Sequence, residues 1–220
     1  MPDGAVYLLD DDPSVLMALS RLLRASNFEV ETFSSPRQFF ARYNPSMNGC
    51  LVLDLAMPDM DGLQLQELLL KSERSLPIIF LTGHADVPAS VKAMKRGATD
   101  FLTKPVEQEA LLRAVRAALA KDRLDRRTYQ EFAEIRKCLA TLTPREYEVF
   151  EHVICGKLNK QTAAEIGAAE KTVKIHRARV MEKMKVQSVA DLVRLATHIG
   201  IDPHTPRQAD AKQWSHTTKV

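Results

Sequence analysis

The rhythm of apolar and polar positions changes about halfway along the chain. Through residue 121, short apolar runs at 6–9, 28–32, 50–53, 78–81 and 101–102 alternate with stretches of helical spacing at 13–25, 36–43, 63–71, 88–96 and 107–121. The runs are too short for helices and are predicted as strands. Five β–α units in succession predict an α/β domain: a doubly wound, parallel, five-stranded sheet with helices on both faces. In such sheets the functional crevice lies at the carboxyl ends of the strands, so the residues just after each apolar run carry most weight.

Beyond residue 121 the strands stop. Residues 122–141 are highly charged, with a sparse apolar stripe at Leu124, Phe132, Ile135 and Leu139, the pattern of a solvated linking helix. Four helical segments follow at 144–155, 160–166, 170–184 and 188–197 and predict a small all-α domain over 142–200. The stretch 201–220 is polar, holds Pro203 and Pro206 and lacks periodicity, so a flexible tail is expected.

Composition narrows the class. At 45% hydrophobic and 27% charged residues, the 220-residue chain has ordinary globular proportions. No apolar run approaches the roughly 18 residues that cross a bilayer, and Asp10, Asp11 and Asp12 fall where a signal peptide would need its apolar stretch to continue. Cys50, Cys138 and Cys155 are odd in number and widely spaced, which fits buried thiols in a reducing compartment rather than disulfides or a zinc site. A cytoplasmic protein without a membrane partner is expected. The net charge of +3 is unevenly divided: residues 1–122 hold 13 basic and 16 acidic side chains, whereas 143–220 hold 13 and 9. The acidic front implies a cation or cationic protein as partner, and the basic rear a polyanion.

The strand-end rule gathers Asp10 and Asp11 after the first strand, Asp54 after the third, Thr82 after the fourth, and Lys104 with Pro105 after the fifth. Three carboxylates at one edge raise each other's pKa unless a hard divalent cation sits among them. Magnesium is the expected cofactor, because it takes a few carboxylates and keeps positions for water and phosphate oxygens. One carboxylate can then attack phosphorus and become an aspartyl phosphate. Asp54, at the end of the central strand, is assigned that role, with the Thr82 hydroxyl and the Lys104 ammonium placed to bind equatorial oxygens. A single acid at a strand end is readily explained as a solvated helix cap; the set of five is not.

These residues resemble the receiver domain of bacterial two-component response regulators over positions 5–121. The resemblance rests on the Asp10-Asp11 pair, the segment VLDLAMPDMDG around Asp54, Thr82 followed by Gly83, and Lys104-Pro105. It implies a flavodoxin-like receiver, over 1–121, to which a sensor histidine kinase donates a phosphoryl group at Asp54. Asp11, Asp54 and the backbone carbonyl of Ala56 would bind the metal directly, and Asp10 through water. A cis Lys104-Pro105 peptide is also implied. So is a switch in which the phosphoryl group draws Thr82 toward it and Phe101 turns into the space behind. The surface affected would comprise the helix at 88–96, the strand at Phe101 and the helix from Glu107, the expected dimer face. The stretch TGHADVP is similar to FixJ-like receivers. Haloacid dehalogenase-type phosphatases also use an aspartate nucleophile with Thr or Ser and Lys, but need a second acid two residues on, where this chain has Ala56. A regulator, not an enzyme, is therefore expected.

In the second half, EKTVKIHRARVMEKMK carries most of the local positive charge. A helical step places Val173, Val180 and Met184 on one side and turns Lys171, Lys174, Ile175, Ala178 and Arg179 away. A basic presented face, preceded by a helix and a turn at Gly167, suits a recognition helix in a major groove; the alternative is a solvated basic helix. Residues 142–184 resemble the LuxR-type helix-turn-helix through Leu142-Thr143-Pro144-Arg145-Glu146, Gly156, Asn159-Lys160, Thr172-Val173-Lys174 and His176. Together with the receiver this is similar to the NarL/FixJ class, phosphorylation-dependent DNA-binding transcriptional regulators.

That resemblance implies base-edge contacts from Lys174 and Ile175 and phosphate contacts from Lys160, Thr172 and Arg179, with Lys171 on the same presented face. Two departures stand out. Ala169 replaces the family's usual capping serine, at a cost of about 1 kcal/mol unless the cap shifts to another residue, and Ala178 stands where some relatives carry a basic residue. His176 has no second ligand at helical spacing and reads as a packed histidine. The expected partners are a sensor histidine kinase, double-stranded promoter DNA, RNA polymerase as a further candidate, and a second copy of the chain when phosphorylated. The unphosphorylated chain is expected to be mostly monomeric, its receiver obstructing the recognition helix or the dimer contact. An alternative has the C-terminal domain bind another protein, and a steep salt dependence separates DNA binding from it.

Overall fold

Alternating side chains along three strands decide the architecture of the first half. In the computed structural model, which describes residues 4–72, 74–83 and 87–203, β1 (Ala5–Leu9), β2 (Val30–Phe33), β3 (Gly49–Asp54), β4 (Ile78–Thr82) and β5 (Asp100–Thr103) form one parallel sheet in the order β2-β1-β3-β4-β5. Tyr7, Leu9, Leu51, Leu53, Ile78 and Phe80 project to one face, where they meet Phe39 of α2 (Pro36–Arg42), Leu65 and Leu69 of α3 (Gly62–Leu69) and Ala93 of α4 (Val87–Lys95). Val6, Leu8, Cys50, Val52, Ile79 and Leu81 project to the other, against Leu23 of α1 (Pro13–Ala25) and Leu111, Val115 and Ala118 of α5 (Gln108–Ala140). Every residue of β3 is buried, as expected for a central parallel strand covered on both faces. The doubly wound five-stranded sheet of the sequence reading is present.

The largest strand-boundary shift is at the start of the second strand. Phe28, expected inside the second strand, instead donates its amide to the Leu23 carbonyl and closes the turn that ends α1, so pairing with β1 begins at Val30.

The chain divides into two units, Met1–Arg127 and Thr128–Val220. Helix α5 supplies residues to both, and its second half differs from a solvated linker. Asp122 is fully buried in the first unit, whereas Ile135 and Leu139 belong to the core of the second. Of the sparse apolar stripe only Leu124 is well exposed, at 65%.

The second unit contains α6 (Pro144–Ile154), α7 (Asn159–Ile166), α8 (Glu170–Lys183) and α9 (Val189–His198), with no strand among its described residues. Their shared core is built on Val149, Phe150, Val153, Val173, Val180, Met184 and Leu192. Helix α6 opens with a reciprocal cap between Thr143 and Glu146. Helix α7 ends at Gly167, whose φ of +64° lies in the left-handed region that a side chain would disfavour, and the chain reverses there into α8. The three cysteines are free thiols, but only Cys50 is buried; Cys138 and Cys155 are half-buried at the margin of the helical core, which corrects the expectation of three buried thiols. Residues 204–220 of the expected tail and 84–86 of TGHADVP lie outside the described residues.

Candidate functional site

The parallel sheet brings its predicted strand-end residues to one edge. Oxygen atoms of Asp10, Asp11 and Asp54 all lie within 4.8 Å of one another, with Asp10 and Asp54 buried and Asp11 exposed. Lys104 follows β5 and reaches back across the edge: its Nζ lies 2.6 Å from Asp10 Oδ2 and 2.9 Å from Asp54 Oδ1. The Lys104 amide donates to the Thr82 carbonyl at 2.6 Å, tying the ends of β4 and β5, and Lys104-Pro105 is cis. Thr82 is buried beside this cluster on β4, and Phe101 on β5 is half-buried with its ring 6.1 Å from that of Phe80. Ala56, two residues past Asp54, is exposed.

The neighbouring acids divide their work. Asp10 accepts from the Asp12 amide at 3.0 Å, and Asp12 itself caps α1 by accepting from the Ser14 amide at 2.8 Å. The helix-cap explanation thus applies to Asp12 and not to the clustered pair. Burial pushes the Asp54 carboxyl above its ordinary pKa; the hydrogen bond and charge of Lys104 oppose this, and Asp10 and Asp11 add to it. For Lys104, burial pulls downward, but the hydrogen bonds and charges of Asp10 and Asp54 outweigh it and leave the ammonium above its ordinary value. One cation among three carboxylates leaves the cluster electron-rich, and its all-oxygen, carboxylate-dominated donor set fits a hard divalent metal.

A residue absent from the sequence reading shapes this edge. A Cβ on Gly62 would lie 2.6 Å from the Asp54 carbonyl oxygen and 2.9 Å from Phe80 Cε1. Only glycine lets the loop after Asp54 return so closely, its amide donating to Leu55 at 3.0 Å. The Asp-Gly pair ending VLDLAMPDMDG marks the turn in the sequence, but not the close approach.

On α8, Val173, Val180 and Met184 are buried, whereas Lys171, Thr172, Lys174, Ile175, Ala178 and Arg179 are exposed, Ile175 at 47%. Lys160 is exposed in the first turn of α7. The basic residues are not all on display: Lys183 Nζ is 2.5 Å from buried Glu146 and 2.8 Å from the Thr141 carbonyl, and Arg177 donates to Asn159 Oδ1 at 3.2 Å. From the sequence, Lys183 and Arg177 have no role beyond their place in the basic segment, and these internal contacts were not foreseen. The cap of α8 does not shift to another residue: Ala169 is the N-cap and makes no side-chain bond to the helix amides. His176 is half-buried with no hydrogen-bond partner at Nδ1, and among the described residues the only acid, His or Cys cluster arranged to hold a metal is the aspartate group.

Residues 6–116 match the response regulator receiver domain, and residues 140–196 match the luxR family of bacterial regulatory proteins. The chain is 46% identical to the response regulator protein TodT of Pseudomonas putida over 89% of its length and 86% of the relative's. It is 43% identical to nodulation protein W of Bradyrhizobium diazoefficiens, covering 92% and 89%. The chain belongs to the response regulators of the NarL/FixJ class. The transcriptional regulatory protein FixJ of Azorhizobium caulinodans is 39% identical to this response regulator, covering 92% of this chain and 97% of FixJ. Among solved structures, the response regulator StyR superposes with a TM-score of 0.78 at 43% identity, covering 89% of this chain and 98% of that one. Full-length FixJ from B. japonicum superposes at 0.54 and 35%, covering 91% and 99%. This response regulator therefore joins a receiver to a LuxR-type DNA-binding domain, and its relatives are transcriptional regulators and not enzymes of the dehalogenase type. No helix among its described residues is long and apolar enough to cross a membrane.

Proposed function

We propose that the regulator is switched by phosphorylation of Asp54, with a sensor histidine kinase as donor, and that the phosphorylated form binds promoter DNA as a homodimer. The observation that carries this reading is the convergence of Asp10, Asp11 and Asp54 within 4.8 Å, with Lys104 2.9 Å from the Asp54 carboxylate. An Asp54 oxygen attacks phosphorus, the bond from phosphorus to the donor atom breaks, and its electron pair leaves with the donor. Lys104 lies where it neutralises charge on the transferred group, and Thr82 at the end of β4 supplies a hydroxyl to an equatorial oxygen. Magnesium would be held by Asp10, Asp11, Asp54 and the Ala56 carbonyl. When bound it supplies charge neutralisation and orients the phosphoryl oxygens. The Thr82 hydroxyl then draws toward the new group and Phe101 turns inward, changing the surface of α4, β5 and the start of α5.

The domain reading that accompanies this is a receiver over 1–121, a linking helix over 122–141, a DNA-binding domain over 142–200 and a tail beyond. Lys174 and Ile175 reach base edges, while Lys160, Lys171, Thr172 and Arg179 hold phosphates, which suits their exposure on α7 and α8. RNA polymerase is a further partner of the DNA-bound dimer, and the cytoplasm is the compartment in which kinase, DNA and regulator meet. The test is incorporation of labelled phosphoryl from acetyl phosphate with magnesium. Wild type becomes labelled, and Asp54→Asn does not, because the amide cannot act as the nucleophile. Equal labelling of the two proteins would refute the assignment.

A further inference from the structure

At the opposite end of the sheet from the acidic cluster lies a buried charge that the phosphorylation chemistry does not use. Asp122 sits in α5 where the sequence reads as solvated, yet its side chain is completely buried. Its Oδ2 accepts from the Gly49 amide at 3.1 Å and pairs with Arg126 Nε at 3.2 Å, one helical turn on. Its Oδ1 pairs with Arg74, whose own side chain is 9% exposed. Arg74 in turn donates to the Met47 carbonyl at 2.9 Å and the Pro45 carbonyl at 3.2 Å.

The partners are the informative part. Gly49 is the first residue of β3, and Asp54 is the last. Arg74 lies in the segment leading into β4, which ends at Thr82. Strand β3, with Asp54 at its carboxyl end, is therefore tied at its amino end to one carboxylate of α5, and the segment leading into β4 is tied to the same carboxylate through Arg74. A buried ion pair holds its partners in one arrangement, because separating them would leave an uncompensated charge out of water. Displacement of β3 or β4 must accordingly act on the α5 turn at 122–126, and displacement of that turn on the two strands.

We propose that Asp122 is a positioning residue that couples the acidic pocket to the linking part of α5, so that the phosphorylation signal reaches DNA binding through it. This rests on the reading of Asp54 as the phosphoacceptor. A merely structural role would change stability and basal affinity, but not the ratio of DNA affinities with and without the phosphoryl group, which is the coupling itself.

The test uses the full chain as wild type, Asp122→Asn and Asp54→Asn. Label uptake from acetyl phosphate with magnesium is measured for each, together with affinity for a DNA duplex selected from a random pool by the labelled wild type. Asp122→Asn should take up label as wild type does, while its phosphorylation-dependent gain in DNA affinity falls from roughly tenfold or more to about twofold or less. Normal uptake with an undiminished gain overturns the Asp122 assignment alone. Label on Asp54→Asn, or a wild type whose DNA affinity ignores the label, overturns the reading on which it rests. Should Asp122→Asn not fold, Arg74→Lys decides by the same ratio: it keeps the positive charge but cannot hold Asp122 and the Met47 and Pro45 carbonyls together. A reduced gain supports the proposal, and a wild-type gain overturns it.

Discussion

Glu146 shows how one buried carboxylate can organise several turns of helix. It accepts from the Thr143 amide at 2.9 Å to complete the cap of α6 and from Lys183 at the far end of α8, and is itself only 2% exposed. The Lys183 hydrogen bond, then the Thr143 amide, holds its pKa down to about 2 from an ordinary 4.5. Because the folded-state value is the lower one, the resulting stability is complete above about pH 4.5 and is lost as pH falls toward about 2. The helical unit should therefore lose resistance to urea across that acid window. Lys183→Met should lower the midpoint at neutral pH and flatten the acid dependence, as followed by helical circular dichroism at a series of pH values. A variant that keeps the wild-type pH slope would remove Lys183 from this account.

At the scale of the element, local chemistry and close approach make separate demands. Ala169 leaves α8 without a side-chain cap while holding the extended backbone, φ −72° and ψ 142°, that a capping residue adopts. Ala169→Ser should therefore stabilise the helical unit by about 1 kcal/mol, seen as a raised thermal midpoint, because its hydroxyl can take up a helix amide. No gain would mean that these amides are already satisfied. Gly62 makes the opposite demand at the start of α3, where a Cβ collides with the Asp54 carbonyl and Phe80. Gly62→Ala should cost about 1–3 kcal/mol of receiver stability and, with Asp54 as the proposed acceptor, slow phosphoryl uptake, since the displaced atom belongs to Asp54. Unchanged thermal unfolding would show that the α3 start gives way freely.

For the whole molecule, the acidic receiver and basic helical unit predict opposite responses to ions. DNA affinity should fall log-linearly as salt rises, with a slope set by the number of phosphates neutralised. Lys174→Ala should cost about 1–3 kcal/mol and relax preference at the base it contacts, read by fluorescence titration against selected duplexes. A salt-independent affinity would instead favour a protein partner. Much of this organisation was legible in the sequence. The parallel five-stranded sheet, the strand-end cluster and the buried and exposed sides of α8 follow from periodicities of two and 3.6 residues and a rule about strand ends, all of which act locally. What the sequence could not disclose depends on partners far along the chain: Asp122 meets Gly49 across 73 positions, and Lys183 meets Glu146 across 37. A charged residue in a polar stretch reads as solvated because its neighbours in sequence are solvated. Only the tertiary fold brings the counter-charge that lets it leave water, and so only the fold distinguishes the lysines left exposed on α7 and α8 from the one that locks a helix, and a linker residue from a buried anchor.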